Sequence, residues 1–466
     1  MDTILCDELL LEIFNHLPPP PSPSLSLVSK RWRRLFRSST TSLSLHLPSL
    51  SSSLCNFLSS HPYLSSLSLS ITTTKTTTYV DQILVCVSNS CPNLKNFTFL
   101  SAHFTVLQIQ SLPTSFYGLN GLNISLSRPI CFSWLSQFGC LKSLSVLCTG
   151  KNDNSVEFDS MGDEMMMMKN IDGGLKLESV CLTGVKSGDF SLNWLWRNCK
   201  KVKTLKLKSC EGIGGTSYFS DFIKCLNNLQ EVELRKSRTI VDVVLLNLIE
   251  NCSSLNSLLV YDGGSRESLL QFITQSRCKM QKIDLRLPLD LDNSHLFAMA
   301  ENFRGLVSLR FESCCLVTGE GLKTIGRALG SSLEELALIS CDVVDKEPGL
   351  LATVGQCLKR LRILDLSYNE MLLDKEINLM LVSCNDLFEL KLRGCPRLTN
   401  ATTLSIAKSC KKLESVDIMF CSKIGVEAVE LLLLSSPRLR LVAVEQNKLS
   451  DVARSRVSNY FIKVVV

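Results

Sequence analysis

The chain has 466 residues, of which 45% are hydrophobic and 20% charged, and this apolar content excludes a wholly disordered protein. Its net charge of +6, from 50 Lys and Arg against 44 Asp and Glu, is weak for a dedicated nucleic-acid binder of this length. No apolar run approaches the roughly 18 residues of a membrane span, and the start Met1-Asp2-Thr3 is acidic where a secretory signal is basic. We therefore expect a cytoplasmic or nuclear protein with reduced thiols, which binds neither nucleic acid nor a membrane.

The first forty residues predict a small unit of two helices. Asp7 and Glu8 lie where acidic residues favour the start of a helix. The apolar face of this helix consists of Leu9, Leu10, Ile13, Phe14 and Leu17. A second helix begins after Ser24, with an apolar stripe of Leu25, Val28, Trp32 and Leu35. Its basic residues are expected to face solvent: Lys30, Arg31, Arg33 and Arg34. Because so short a unit cannot bury all these apolar side chains, it should lean on the segment that follows and on a partner.

An L-x-x-L-x-L pattern then repeats through most of the chain. The clear copies begin at residues 202, 229, 255, 280, 306, 333, 361, 387, 413 and 439. Weaker copies begin at 64, 94, 119, 141 and 177, which makes fifteen, and Leu43-Ser44-Leu45 is a possible half-repeat. In each copy the alternation predicts a strand: Leu205 and Leu207 point inward and Lys206 outward. The segment from Val241 to Cys252 has helical spacing of its apolar residues, namely Val244, Leu245, Leu248 and Ile249. Such units must stack to cover their apolar faces, so we predict a horseshoe with parallel strands on its concave side and helices on its convex side.

The 21 cysteines follow the same repeat. Eight residues after the first apolar position stand Cys210, Cys314, Cys341, Cys395 and Cys421, with Asn369 in the same slot. Three residues before it stand Cys91, Cys199, Cys252, Cys384 and Cys410. There is no C-x-x-C pair and no histidine at zinc-finger spacing. We therefore predict buried structural thiols and no metal site.

Two segments depart from the repeat. The interval from 141 to 177 is about ten residues too long, and the extra residues, 151–174, are rich in acids and contain Met165 to Met168. We interpret them as a flexible inserted loop, with a Met-rich binding patch as the alternative. Residues 451–466 follow the last strand and predict a helix that caps the open end. The predicted domains are therefore 1–40, 41–450 and 451–466.

Residues 5–17, LCDELLLEIFNHL, followed by Leu27-Val28-Ser29-Lys30-Arg31-Trp32, resemble an F-box. The family pattern is L-P-x-E-L-x-x-x-I-F-x-x-L, then a loop, then L-V-C/S-K-x-W; Cys6 stands at the proline, and the proline-rich loop is a second departure. Residues 40 to 445 resemble the cysteine-containing leucine-rich repeats. The resemblance thus implies an α/β protein in which a helical F-box precedes a leucine-rich-repeat solenoid.

The same resemblance implies the substrate receptor of an SCF-type, cullin-based ubiquitin ligase. Its F-box would dock a Skp-type adaptor, and through it a cullin, by way of Leu5, Glu8, Leu9, Ile13, Leu17, Val28 and Trp32. Its repeats would hold the protein to be ubiquitinated. No familiar catalytic or nucleotide-binding motif is present, so we expect no catalytic residue and no cofactor.

The substrate should meet the residues that alternate with the inward leucines. The charged ones form eight positive and eight negative groups, so their net charge is zero and a protein partner fits better than a phosphate ligand. We predict that the substrate contacts Lys206, Lys208, Glu231, Glu233, Arg235, Lys282, Asp284, Arg286, Arg310, Glu312, Lys391 and Arg393. Aromatic anchors at strand ends are Tyr261, Tyr368 and Phe420, of which the first two complete the predicted site.

Other interpretations remain open from the sequence. The Leu9/Ile13/Leu17 face would also suit the core of an ordinary bundle, and the charged strand residues would also suit a simple solvated surface. The whole chain would also suit a protein-binding scaffold or inhibitor without ubiquitin transfer. A third alternative is a hormone co-receptor similar to the plant auxin and jasmonate receptors, which requires a dense basic cluster on the inner surface.

Overall fold

The structure is a computed structural model. It describes residues 5–16, 25–47, 53–71, 78–104, 106–128, 130–150, 174–186, 189, 192–212, 219–287, 290–459 and 462–465. Leu17 and nearly all of the predicted insertion lie outside the described residues. The chain folds as two compact units, Met1–Leu205 with Gly215–Cys225, and Lys206–Gly214 with Leu226–Val466. The predicted boundary after residue 40 falls inside the first unit.

The N-terminal segment forms three helices: α1 (Asp7–His16), α2 (Leu25–Val28) and α3 (Lys30–Ser39). The prediction of one continuous second helix is therefore wrong. Ser29 interrupts it in an extended conformation, and its hydroxyl accepts a hydrogen bond from the Trp32 backbone N–H at 3.1 Å. A serine in this geometry satisfies a free N–H of the first helical turn, which favours a new helix start. Leu10, Phe14 and Leu35 form the buried core of the three helices.

The rest of the first unit alternates strands with helices. The strands are β1 (Ser42–Leu47), β2 (Ser66–Ile71), β3 (Asn96–Phe104), β4 (Gly121–Ser127), β5 (Ser143–Thr149) and β6 (Ser179–Thr183), each parallel to the next. The helices are α4 (Leu54–Ser59), α5 (Thr78–Ser90), α6 (Val106–Ser115) and α7 (Leu192–Asn198), with a 3-10 helix at Ser133–Gln137. Strand β7 (Thr204–Lys208) and helix α8 (Phe219–Leu226) contain the points at which the chain passes between units.

The second unit continues the alternation. Its further strands are β8 (Glu231–Arg235), β9 (Ser257–Tyr261), β10 (Lys282–Arg286), β11 (Ser308–Glu312), β12 (Glu335–Ile339), β13 (Ile363–Asp365), β14 (Glu389–Lys391), β15 (Ser415–Asp417), β16 (Leu441–Ala443) and β17 (Lys463–Val465). Each strand from β8 onward is parallel to the next. Its helices are α9 (Arg238–Asn251), α10 (Arg266–Gln275), α11 (Asn293–Asn302), α12 (Gly319–Leu329), α13 (Asp342–Lys346), α14 (Leu350–Cys357), α15 (Asp374–Ser383), α16 (Asn400–Ser409), α17 (Val426–Ser435) and α18 (Asp451–Asn459).

The sequence register predicts the strands accurately. In all fifteen copies of the pattern the strand begins two residues after the first apolar position, and the half-repeat forms β1. Leu205 and Leu207 are buried while Lys206 is only half-buried, as the alternation predicts. The helical stripe of α9 is also confirmed, except that Ile249 is only partly buried. Leucine-rich repeats of strand and helix therefore form the fold.

A backbone turn follows the strand at a constant position. The residue seven places after the first apolar position has a positive φ in nine successive repeats: Ser209, Lys236, Asp262, Leu287, Ser313, Ser340, Tyr368, Gly394 and Phe420. Eight of these nine are not glycine, although the left-handed region disfavours a side chain. The next residue occupies the Cys/Asn slot, so that slot lies directly after a left-handed turn.

The Cys/Asn slot links neighbouring repeats by hydrogen bonds. The Cys341 thiol donates to the Ile339 carbonyl of its own repeat at 3.3 Å and to the Phe311 carbonyl of the preceding repeat at 3.7 Å. Asn369 donates to the Leu338 and Leu366 carbonyls, both at 2.8 Å, and accepts from the Cys341 backbone N–H at 2.9 Å. The predicted structural role of these cysteines is confirmed.

One pair of thiols contradicts the expectation of reduced cysteines. Cys55 on α4 and Cys86 on α5 are joined in a disulfide, with their Cα atoms 5.3 Å apart. Neither residue stands in a register slot, and they meet because α4 and α5 belong to successive repeats. The remaining nineteen cysteines are not in a disulfide, and thirteen of them are buried.

The C-terminal segment differs from the prediction of a purely helical cap. After α18 the chain forms β17, which pairs with β16 through Lys463 N–H to Arg440 O at 2.7 Å and Val444 N–H to Val465 O at 3.0 Å. An exposed strand edge leaves backbone groups without partners, and the added strand satisfies those of β16. Among the described helices, none is both long enough and apolar enough to cross a membrane.

Candidate functional site

The apolar residues of α1 lie on two different faces. Leu10 and Phe14 are buried, whereas Leu9 is 53% exposed and Ile13 is 43% exposed. Leu27 and Val28, at the end of α2, are also exposed. Several large apolar side chains exposed on so small a unit are typical of a protein that binds a partner through them. We call Leu9, Ile13, Leu27 and Val28 the exposed F-box face; the alternative that Leu9 and Ile13 form a bundle core is wrong.

The other predicted adaptor residues have different surroundings. Leu5 and Trp32 pack against the helical core, with the Trp32 ring centroid 5.3 Å from that of Phe14. These two residues therefore contribute to the core of the helical unit and are only partly exposed. Glu8 is exposed near the start of α1, where a backbone hydrogen bond lowers the pKa of its carboxyl group. Sequence reasoning missed Leu27, although it lies directly before Val28 in the segment that resembles the family pattern.

Arg31 is not directed simply into solvent, as the sequence suggests. Its Nε donates to the Asp7 carboxylate at 2.8 Å, and its Nη2 donates to the Leu5 carbonyl at 2.8 Å. These bonds fix α3 against the first turn of α1. The predicted contact with the first repeat is also present, since the Arg37 guanidinium lies 5.9 Å from the centre of the Phe57 ring on α4.

Apart from Tyr368 and Arg393, which follow their strands, the predicted substrate residues are strand residues of the second unit. We call the strand residues that alternate with the buried apolar residues the open face. At one end of it Glu233 is nearly buried and is approached by Lys206 at 3.2 Å, Lys208 at 3.6 Å and Arg235. Burial by itself raises the pKa of Glu233, but the hydrogen bonds from Arg235 and Lys206 outweigh it and the pKa is lowered. Glu231 completes the group through Lys206, at 2.8 Å.

A second charged group has Arg310 at its centre. The Arg310 guanidinium approaches Asp284 at 3.7 Å, Glu335 at 3.6 Å and Asp365 at 3.2 Å. Arg286 approaches Asp284 at 2.7 Å and Glu312 at 3.7 Å. The predicted substrate residues thus pair with each other, which leaves their charges balanced locally. The dense basic cluster that a hormone co-receptor requires is not found among the described residues of this face.

A depression of about 230 Å³ lies between the two groups. Short side chains, Ser257 and Ser308, create it, and Glu231, Lys282 and Glu335 rim it. Lys282 is exposed, and no ion pair to it occurs among the described residues. Tyr261, the last residue of β9, is half-buried.

The remaining predicted residues lie towards the C-terminus of the second unit. Lys391 pairs with Glu389 at 2.6 Å, and Arg393 pairs with Asp417 at 2.9 Å. The Arg393 guanidinium also lies 5.6 Å from the centre of the Phe420 ring. Tyr368 and Phe420 are both about half exposed, and both occupy the left-handed position. Exposed aromatic rings beside an arginine have the composition of an interaction hot spot.

Comparison with known proteins identifies the N-terminal segment. The F-box domain model matches residues 3–41. A chain of the Rad7 and Elc1 complex from yeast has 14% identity and a TM-score of 0.44, over 96% of this chain and 90% of that chain. The leucine-rich repeat-containing protein LegL7 from Legionella pneumophila has 15% identity and a TM-score of 0.39, over 65% of this chain and 95% of that chain. The chain therefore has an F-box domain at its N-terminus, followed by the leucine-rich repeats described above.

Proposed function

We propose that this chain is the substrate-recognition subunit of an SCF-type ubiquitin ligase. In this role the F-box docks a Skp-type adaptor, which connects it to a cullin, and the repeats bind the protein to be ubiquitinated. The exposed F-box face carries the proposal: Leu9, Ile13, Leu27 and Val28 are exposed large apolar residues, and they lie within the matched domain. Covering them with an apolar surface is favourable by about 25 cal/mol per Å².

The proposed contribution of this chain to catalysis is proximity. A substrate held by the repeats stays near the ubiquitin-carrying enzyme at the far end of the complex, so its lysines react at a high effective concentration. This role requires binding surfaces at two separate places and no reacting group in the chain itself. The exposed F-box face and the open face are candidates for these two places.

The open face suits a protein partner. Its charges are already paired, so a partner has to match an alternating pattern of carboxylates and cations, and such matching favours specificity over raw affinity. Tyr368 and Phe420 add exposed apolar surface beside this pattern. We therefore retain the predicted substrate residues as a proposal, with Tyr261, Lys282 and Tyr368 as those least occupied by internal ion pairs.

The test is adaptor binding by the full chain. Leu9→Ala with Ile13→Ala removes the two exposed side chains of α1, and each is worth about 1–2 kcal/mol if the adaptor buries it. The loss of about 2–4 kcal/mol corresponds to a 30- to 1,000-fold weaker adaptor complex. The matched control is Leu379→Ala with Leu404→Ala, which removes two equally exposed leucines from α15 and α16.

The recovery of a Skp-type adaptor is measured for both variants and for the wild type. In cells with an active proteasome, the proteins that accumulate with each variant are also compared with those that accumulate with the wild type. The F-box variant should lose the adaptor while it retains bound substrate, and the control should behave as the wild type. Equal recovery from the F-box variant and the wild type, or no recovery from the wild type, contradicts the proposal and favours a scaffold that transfers no ubiquitin.

A further inference from the structure

Six exposed lysines lie at the beginning of the later strands in the first unit. They are Lys95, Lys142, Lys176, Lys200, Lys201 and Lys203. Lys95, Lys142 and Lys203 stand immediately before β3, β5 and β7. We call the six residues the lysine ridge.

The register of the sheet aligns the ridge. Lys142 N–H donates to the Asn120 carbonyl at 2.8 Å, and Asn120 N–H donates to the Lys95 carbonyl at 2.8 Å. In the same way Lys203 N–H donates to the Glu178 carbonyl at 2.8 Å, and Glu178 N–H donates to the Lys142 carbonyl at 2.7 Å. Lys95, Lys142 and Lys203 therefore occupy one column, each two strands from the next. Two strand spacings amount to about 10 Å.

Among the described residues, the ridge carries more positive than negative charge. Its acidic neighbour is Glu178, which lies 2.8 Å from the Lys203 ammonium and 3.6 Å from that of Lys142. The hydrogen bond and the charge of Lys203 lower the pKa of Glu178. Lys95, Lys176 and Lys201 form no ion pair within the described part of the chain. Without Lys200, the five other lysines and the one glutamate give a formal charge of +4. The open face of the second unit, by contrast, balances its charges internally.

We propose that the lysine ridge is a docking surface for an extended, carboxylate-rich segment of the partner protein. The inference rests on the proposed function, because it assigns a chemistry to the substrate of this receptor. An extended chain advances about 3.3 Å per residue, so three residues span about 10 Å. A segment with an acidic residue at every third position would thus place its carboxylates opposite Lys95, Lys142 and Lys203. The attraction between these carboxylates and the lysines favours this alignment of the segment, and repulsion by the same lysines disfavours basic partners.

The form of the ridge favours carboxylates over phosphate groups or nucleic acid. It contains lysines and no arginine, whereas arginine supplies the paired donors that suit a single phosphate group. Lys95, Lys142 and Lys203 are spread along one column rather than gathered around one point. The residues between them in that column are Asn120 and Glu178, and neither is one of the aromatic residues that stack on the bases of single-stranded nucleic acids.

The test measures binding of a defined probe to the full chain. The probe is a fluorescein-labelled peptide of nine residues with glutamate at every third position and glycine or serine between. A second peptide has glutamine in place of glutamate, a third carries one phosphoserine and no other acid, and a single-stranded RNA of similar charge is the fourth ligand. Anisotropy is measured at 50 and at 300 mM salt. Lys95→Gln with Lys142→Gln removes two charges of the aligned column, and Lys279→Gln with Lys408→Gln removes two exposed lysines elsewhere.

The glutamate peptide should bind the wild type and the control variant equally, and the ridge variant about tenfold more weakly, from about threefold for each exposed pair. Binding should weaken further at 300 mM salt, which screens exposed charges. Equal affinity of the ridge and control variants for the glutamate peptide overturns the proposal, and so does the absence of binding at 50 mM salt. The proposal is also overturned if the glutamine peptide binds as well as the glutamate peptide, or if the phosphoserine peptide or the RNA binds more tightly. Thermal melts of both variants verify folding. Adaptor recovery is measured on the same samples, so loss of the adaptor with retained peptide binding rejects the proposed function and leaves the ridge standing.

Discussion

Arg128 and Asp189 lie 61 positions apart in the sequence and form a buried, bidentate ion pair. The Arg128 Nε–Asp189 Oδ1 and Nη2–Oδ2 distances are both 3.0 Å, and the two side chains are only 6% and 4% exposed. The same guanidinium donates to the carbonyls of Thr149, Gly150 and Gly184. Arg128 therefore closes the ends of β5 and β6, the strands on either side of the long interval in the repeat.

Arg128→Met should lower the free energy of unfolding by about 3–5 kcal/mol, because it leaves the Asp189 carboxylate buried without its cation. Adding Asp189→Leu should restore part of that loss, since no charge then remains in the site. Denaturant unfolding of the two variants and the wild type is the measurement. A double variant no more stable than Arg128→Met would show that the three carbonyls, and not the charge, determine the effect.

Asn369 provides a prediction for the Cys/Asn slot. Asn369→Ala removes two donated hydrogen bonds and one accepted hydrogen bond in a buried site, so we expect a loss of about 2–4 kcal/mol. Asn369→Cys should cost clearly less, because in the next two repeats a thiol donates to the carbonyl that corresponds to Leu338. Unfolding free energies from denaturant titration distinguish the two. Equal losses would mean that the slot depends on the amide alone.

Alanine substitutions at two glycines with positive φ distinguish the cost of backbone strain from the cost of a side-chain clash. A Cβ on Gly394 would lie 2.6 Å from Tyr368 Cδ1, whereas a Cβ on Gly349 would meet nothing within 4 Å. Gly349→Ala should therefore cost only the left-handed conformation, about 1 kcal/mol, and Gly394→Ala more. Tyr368→Ala in the Gly394→Ala background should reduce the difference. The comparison uses melting temperatures, and equal shifts for the two single variants would exclude the clash.

The buried thiols predict a loss of stability at alkaline pH. Burial raises the pKa of Cys395 and of Cys410 to about 12, from an ordinary value of 9.0. In the unfolded chain these thiols ionise above pH 9, while in the folded chain they remain protonated until about pH 12. Unfolding therefore releases protons in that window, and the free energy of unfolding should fall as the pH rises from 9 to 12. Below pH 9 both states hold the protons and these thiols contribute no slope.

Denaturant titrations at pH 8 and pH 10 measure this effect. A matched variant, Cys395→Ala with Cys410→Ala, should show a smaller fall between the two pH values. Thiol labelling at pH 8 is a companion measurement, in which the exposed Cys6, Cys140 and Cys315 should react rapidly and the thirteen buried thiols only after unfolding. Rapid reaction of Cys395 in the folded protein would contradict its burial.

Much of the fold could be predicted because its pattern is local and repeated. The positions of β2 to β16, the buried Leu205 and Leu207, and the thiol slots all follow from one register that the chain repeats about every 26 residues. In the F-box the sequence also indicated Leu9 and Ile13 as partner residues, because a short unit has too many apolar side chains for its core. Whether the predicted substrate residues contact a substrate stays a prediction.

The features that escaped prediction depend on contacts between distant parts of the sequence. Arg31 donates a hydrogen bond to Asp7, which precedes the proline-rich segment in the sequence. Cys55 and Cys86 form a disulfide because α4 and α5 pack side by side. Neither pair has a spacing that a repeat or a motif would indicate. The break at Ser29 is different: the capping serine was visible, but the apolar stripe on both sides of it favoured one continuous helix.

The hydrogen bonds of the Cys/Asn slot bear on how such a protein changes its length over evolutionary time. Cys395 donates to the Leu366 carbonyl, and Cys421 to the Leu392 carbonyl, so the same donor meets the same acceptor in each successive turn. A duplicated segment of one repeat would bring its own donor and present a fresh acceptor to the next. Duplication of one repeat can thus lengthen the sheet without a new packing arrangement, while β17 pairs with whichever repeat strand precedes it.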